Sequence, residues 1–403
     1  MDNAPHSDPD PRSPEIDKSV TPDDRPASKD FPVAAPDGAS PAGGPSGEPP
    51  SPARQWLNVV LVVVTGALVF LGPRPSEDRE RASPPTLPAT AQPKPQRSEL
   101  YGRLKTLEQM AERFDRAGLP GLRAEIADRP IEFLALTALG LLGLAILAVG
   151  FVGLILGAWF LSRLSKRRPI MDQAPAIEAK WTVLDALGAV ALFFLVATVL
   201  AGLGRASSSW VVFAWMFAFV VACLYGRYVV ESRCRQSLAA AGVTRAAFGG
   251  NVGRGIVAYI TALPLFAAAM YASMYLVRTL FDVQPARGQS PLEALLTVNS
   301  PGVLAMYVIT ITLIGPLAEE FLFRGLLYGA IRRWLSAKWT ILVTAAVFAL
   351  VHRSPIIMPP IFVLGLFLAY LYEKRRSLVA TATMHVLQNT VAVTVVLLIR
   401  LAT

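Results

Sequence analysis

The sequence predicts an all-α membrane protein, a polytopic helical bundle of about eight or nine spans preceded by a disordered N-terminal tail. Three observations carry that prediction. Of the 403 residues 53% are hydrophobic and the mean hydropathy is +0.45, well above ordinary globular content. The apolar residues come in runs near the ~20 residues that a helical span requires, not in periodic stripes. The lysines and arginines gather in short loops between those runs, as they do on the cytoplasmic side of membrane proteins.

Residues 1–55 hold 13 of the 32 prolines with many Ser, Gly and Asp and no apolar periodicity, so they cannot bury enough surface to fold and are expected to be disordered. The run Trp56–Gly72 starts too far from the N-terminus for a secretory signal and lacks a basic region with a small-residue cleavage site. It is expected to be a permanent anchor span. Residues 73–131 read as an extramembrane linker. They are proline-rich at first and then carry RSELYGRLKTLEQMAERF, where Leu100, Leu104, Leu107, Ala111 and Phe114 share one helical face. That pattern spans too few heptads for a dedicated coiled coil, and fits a helix packed on the membrane domain or lying at the interface.

The remaining apolar runs fall near 133–161, 184–203, 210–229, 255–277, 302–334, 338–352, 356–372 and 377–400, the fifth interrupted by Gly315-Pro316. They divide into N-terminal membrane helices over 133–299 and a final membrane domain over 300–403. Alternating spans place Arg163/Lys166/Arg167/Arg168, Arg227/Arg233/Arg235, Arg332/Arg333/Lys338 and Lys374/Arg375/Arg376 on one side, which should be the cytoplasm. The eleven Lys and Arg of 73–131 fall on the other side, but most lie far from a span, where the rule weakens. No internal repeat suggests a transporter with inverted halves.

The net charge of +9 does not imply a nucleic-acid partner, because the charge sits in inter-span loops and not in one patch. The expected partner is the lipid bilayer. Two cysteines, Cys223 and Cys234, are too few for a disulfide framework or a thiolate metal site.

Within the final third, few strong polar side chains interrupt the apolar runs: Glu319, Glu320, Arg324, His352, His385, Gln388 and Asn389. An ionisable group near a bilayer centre costs at least roughly 2.5–3.5 kcal/mol, so these residues call for a function. Adjacent side chains on a helix diverge by about 100°, from which Glu319 and Glu320 are not expected to enter one cavity. Glu320 and Arg324 stand at i, i+4 with the acid first, the order that favours an ion pair. His385 and Asn389 share a face, as do Phe348 and His352 on another span. A bundle can gather a base, a second titratable group and amide or imidazole donors around one cavity.

At these residues the chain resembles a known family. Glu319-Glu320-Phe321-Leu322-Phe323-Arg324, Phe348-Ala349-Leu350-Val351-His352 and His385-Val386-Leu387-Gln388-Asn389 follow EExxxR, FxxxH and HxxxN in order. The trio is similar to the CPBP intramembrane proteases, which include CAAX prenyl endopeptidases and bacterial proteins linked to bacteriocin processing and immunity. The resemblance covers roughly residues 300–400. It implies an integral, multi-pass endopeptidase, in a bacterial plasma membrane, that cuts a membrane-embedded or membrane-anchored protein or peptide. Glu319 and His352 would activate a water, His385 and Asn389 would stabilise the oxyanion, and Glu320, Arg324 and Phe348 would support them.

Other protease chemistries fit badly: no HExxH and no GxSG occurs, and Asp185 has no aspartyl counterpart. No cofactor is expected. The alternative is a zinc enzyme, since two histidines and a glutamate form a catalytic zinc set. Two non-proteolytic readings stand beside these, an immunity or scaffold protein that keeps the fold, and a proton-coupled transporter.

Overall fold

The computed structural model describes residues 99–116, 118–166, 178–204, 207–281 and 291–403, and every regular element among them is helical. The expected tail and the 56–72 anchor lie outside the described residues. In chain order the helices are α1 (Glu99–Arg116), α2 (Gly118–Asp128), α3 (Pro130–Ser165), α4 (Val183–Leu203), α5 (Ser208–Arg233), α6 (Phe248–Phe281), α7 (Pro291–Thr297), α8 (Pro301–Arg332), α9 (Ala337–Leu350), α10 (Met358–Arg375) and α11 (Leu378–Ala402).

Six helices among the described residues, α3 to α6, α8 and α11, are long and apolar enough to cross a membrane, which makes the chain an integral multi-pass membrane protein. The runs at 338–352 and 356–372, expected as two further spans, form a hairpin of α9 and α10. With 14 residues, α9 rises only about 21 Å and stops short of a ~30 Å hydrocarbon core. Helix α3 packs on α6 and α11 and leaves Leu141, Leu144, Leu147 and Phe151 exposed, as a lipid-facing surface requires.

Helix α8 corrects one expectation. The sequence suggests a break at Gly315-Pro316, yet α8 runs through it, because the preceding turn, Thr310–Ile314, widens to π geometry. The Gly315 amide reaches back five residues to Thr310 O, a closure that leaves a Cβ at 315 only 3.0 Å from that oxygen. A second π segment covers Phe321–Tyr328.

The basic ends of α5, α8 and α10 meet in ion pairs and hydrogen bonds. Asp185, 1% exposed, closes a capping box with Thr182 at the start of α4 and is gripped by both terminal nitrogens of Arg233. The buried Trp181 indole donates to Leu326 O (2.8 Å), and Arg333 donates to Trp181 O (3.2 Å). Glu373 accepts from Tyr328 Oη (2.7 Å) and pairs with Arg332 and Arg376, which ties the end of α8 to α10.

At the opposite end, α1 docks on the bundle. Arg103 donates to Leu296 O and to Thr403, and Arg400 donates to Leu295 O, so two arginines satisfy the last carbonyls of α7. The buried face of α1 differs from the one the spacing suggests. Leu107 and Met110 are buried while Leu104 is 43% exposed and Ala111 exposed, because the helix rolls to bring Arg103 onto α7.

Replacing Arg233 with Met strands a buried carboxylate and should destabilise the protein by about 3–5 kcal/mol. Adding Asp185→Asn in the same chain should recover most of that loss. Thermal unfolding of the three variants in detergent checks both steps.

Candidate active site

The site is built from three helices at membrane depth. Glu320 lies twelve residues before the end of α8, in the interior of a helix long and apolar enough to cross a membrane. Helix α9 delivers Phe348, and His352 lies just past its end; α11 delivers His385 and Asn389.

Glu320 is fully buried. Its Oε1 accepts from Arg324 (2.9 Å) and meets His385 Nδ1 (3.0 Å), while Oε2 is buried without a hydrogen bond. Arg324, 2% exposed, lays its guanidinium 4.3 Å over the Phe348 ring. A carboxylate paired with a guanidinium is an acceptor only, so Nδ1 of His385 carries the proton and donates to Glu320. The other ring nitrogen, Nε2, then faces Glu319 Oε2 at 3.8 Å.

Both glutamates therefore reach one imidazole, and the expectation that they could not share a space is corrected. Their angular divergence is real. It carries each carboxylate to a different edge of the ring, because Nδ1 and Nε2 lie on opposite sides of it. The two acids differ in exposure, with Glu320 at 0% and Glu319 at 24% of its side chain.

Phe348 gathers the rest. Fully buried, it meets the rings of Phe323 (5.1 Å), His352 (5.1 Å) and His385 (5.7 Å) edge to face, beside the Arg324 cation. His352 joins the cluster through this ring. Its Nδ1 lies 2.8 Å from Phe348 O, an oxygen that only accepts, which puts a proton on Nδ1 and leaves Nε2 turned away from that bond. The turn after His352 reverses at Arg353 (φ 54°) and is pinned by Ser273 of α6, whose hydroxyl donates to Ile356 O (2.7 Å).

His385 and Asn389 share a helical face but not a partner: the Asn389 amide donates to Ile311 O of α8 (2.8 Å). Among the described residues no three His, Cys, Asp or Glu side chains gather in a group that could hold a metal ion. The motifs gave no hint of Ser273, Trp181 or Ile311, since two act through backbone oxygens and the third is itself a carbonyl. A serine inside an apolar span and a proline in mid-helix were the available signals.

Glu319, His385, Glu320 and Arg324 thus form one chain of polar contacts inside a bundle of helices long and apolar enough to cross a membrane. Residues 301–391 match the family model described as Rce1-like, type II CAAX prenyl endopeptidase, a segment that contains Glu319, Glu320, Arg324, Phe348, His352, His385 and Asn389. No curated protein and no solved structure matches the chain. The CPBP resemblance read from the three motifs thus holds for this segment, an Rce1-like domain of a membrane protease family.

Glu320→Ala leaves Arg324 buried without its carboxylate and His385 without its anchor. It should cost about 3–5 kcal/mol and lower the amount of folded protein, whereas Glu319→Ala should leave accumulation unchanged. Quantitative immunoblots of membranes, with unfolding midpoints in detergent, measure the contrast.

Proposed function

We propose that this protein hydrolyses a peptide bond in a membrane-embedded or membrane-anchored protein or peptide of a bacterial plasma membrane, with Glu319 as the base that activates a water and with no metal. The observation that carries this reading is the unequal use of the two glutamates. Glu320 is consumed by Arg324 and His385, while Glu319 keeps an accessible carboxylate 3.8 Å from His385 Nε2. That gap exceeds a direct hydrogen bond, so the Glu319 carboxylate is not consumed by the imidazole and stays open to a water.

In the proposed reaction the water oxygen attacks the scissile carbonyl carbon as Glu319 takes its proton, and the carbonyl electrons move onto oxygen. His352, through Nε2, orients the same water. A His385 protonated on both nitrogens keeps Nδ1–H on Glu320 and offers Nε2–H to the developing oxyanion, a contribution of roughly 3–4 kcal/mol for such a donor. Collapse of the tetrahedral intermediate reforms the carbonyl and breaks the C–N bond. The leaving amine takes the proton held by Glu319, which returns the carboxylate to its starting state.

Two features support this reading over a scaffold or a transporter. A scaffold has no need for a partly exposed carboxylate beside a held imidazole, and all three motifs lie inside the segment that matches the Rce1-like model. The substrate is proposed as a class, a peptide presented at or in the bilayer. Reporter peptides with and without a farnesyl group show whether the prenyl chain contributes.

Glu319→Gln should accumulate normally and lose on the order of 10³-fold or more in kcat on a membrane-peptide reporter. The wild type should keep its turnover after exhaustive treatment with a strong chelator. Stoichiometric zinc in the purified protein, with activity lost on chelation and restored by adding zinc back, would make it a metalloprotease instead.

A further inference from the structure

The amide of Asn389 is tied to a fault in the helix that carries Glu319. In the widened turn of α8 the Gly315 N–H donates to Thr310 O, five residues back. The next bond in that register would run from residue 316 to Ile311 O, but residue 316 is proline and has no N–H. In ordinary α register Ile311 O would take the Gly315 N–H, which is already given to Thr310. Ile311 O is thus orphaned inside a membrane span, where no lipid group can satisfy it. Asn389 Nδ2 stands 2.8 Å from that oxygen, on the helix packed against this turn.

The same turn holds the carboxylate. Glu319 follows Gly315 by one helical turn, and its Oε1 lies 3.8 Å from where a Cβ at 315 would sit. Any change in how the turn closes therefore moves Glu319 against His385. Single π turns inside helices concentrate at functional sites, and here the widening and the proline together create a vacancy that a side chain from another helix fills.

We propose that Asn389 is a positioning residue that replaces the backbone donor missing at Pro316, and so fixes the widened turn from which Glu319 projects. This rests on the reading of Glu319 as the base, and it assigns Asn389 a role at the helix backbone in place of a contact with the reacting atoms. The missing donor can be given back: Pro316→Ala restores an N–H at the one place from which Ile311 O lacks it.

The test is a double-mutant cycle on the full chain in detergent, with Asn389→Ala, Pro316→Ala and the pair, read by thermal unfolding and by kcat and KM on a membrane-peptide reporter. Asn389→Ala alone should lower the unfolding midpoint by a few degrees and kcat by on the order of 10- to 100-fold, with KM little changed. In the Pro316→Ala background the same substitution should cost little in either readout. A pair that regains stability but stays as inactive as Asn389→Ala would overturn the proposal, because Asn389 would then act on the reacting atoms directly. Strictly additive losses of stability would overturn it too, since Ile311 O would not be what the amide serves. The unfolding arm decides the Ile311–Asn389 pairing even where the protease reading fails.

Discussion

The hydrogen-bonded ion pair between Glu320 and Arg324 is the interaction on which the site depends. Both groups are withdrawn from water at a depth where lipid offers no compensation, so each must be satisfied by protein. Arg324, stacked over the Phe348 ring, and the imidazole of His385 both answer at the same oxygen, Oε1. Satisfying one buried carboxylate thereby fixes three further side chains. The proton position on His385 follows from it, and so does the direction in which Nε2 faces Glu319. One carboxylate is spent on structure so that its neighbour can be left partly free.

A second constraint is the irregular backbone of α8. A helix widened twice and carrying a proline leaves carbonyls that its own amides do not reach, and the bilayer cannot hydrate them. Asn389 from α11 fills such a position at Ile311 O, and at Leu326 O the Trp181 indole joins the Gly329 N–H of α8 itself. The α9–α10 turn that carries His352 is treated in the same way by Ser273. Trp181 and Ser273 lie before residue 301, outside the segment that matches the Rce1-like model. The N-terminal helices, which carry none of the three motifs, thus contribute to the geometry of the site.

Much of this arrangement was legible in the sequence. Spans are set by length and apolarity, and both survive translation into structure for α3 to α6, α8 and α11. The i, i+4 relation of Glu320 and Arg324 is a property of a single helix, so spacing alone yields it, and the Phe348–His352 contact survives although His352 lies in the turn past α9. Relations between helices were less accessible. Angular divergence was read as separation for Glu319 and Glu320, whereas an imidazole with nitrogens on two edges reunites them. His385 and Asn389 share a face, yet α8 meets them with a carboxylate at one level and a carbonyl at the next, a relation that spacing within one helix does not contain. The buried face of α1 shifted because Arg103, a polar residue that a hydrophobic pattern ignores, binds the end of α7.

The central claim is that Glu319 activates a water and does not itself attack the peptide. Single-turnover cleavage of a reporter peptide in H2¹⁸O, with enzyme in excess, tests it most directly. Water attack predicts one ¹⁸O in the new C-terminal carboxylate of the product in the first turnover and none in Glu319. Attack by the carboxylate would pass through an anhydride, giving a first product with ordinary oxygen and leaving the label in the Glu319 side chain, and that result would contradict the account.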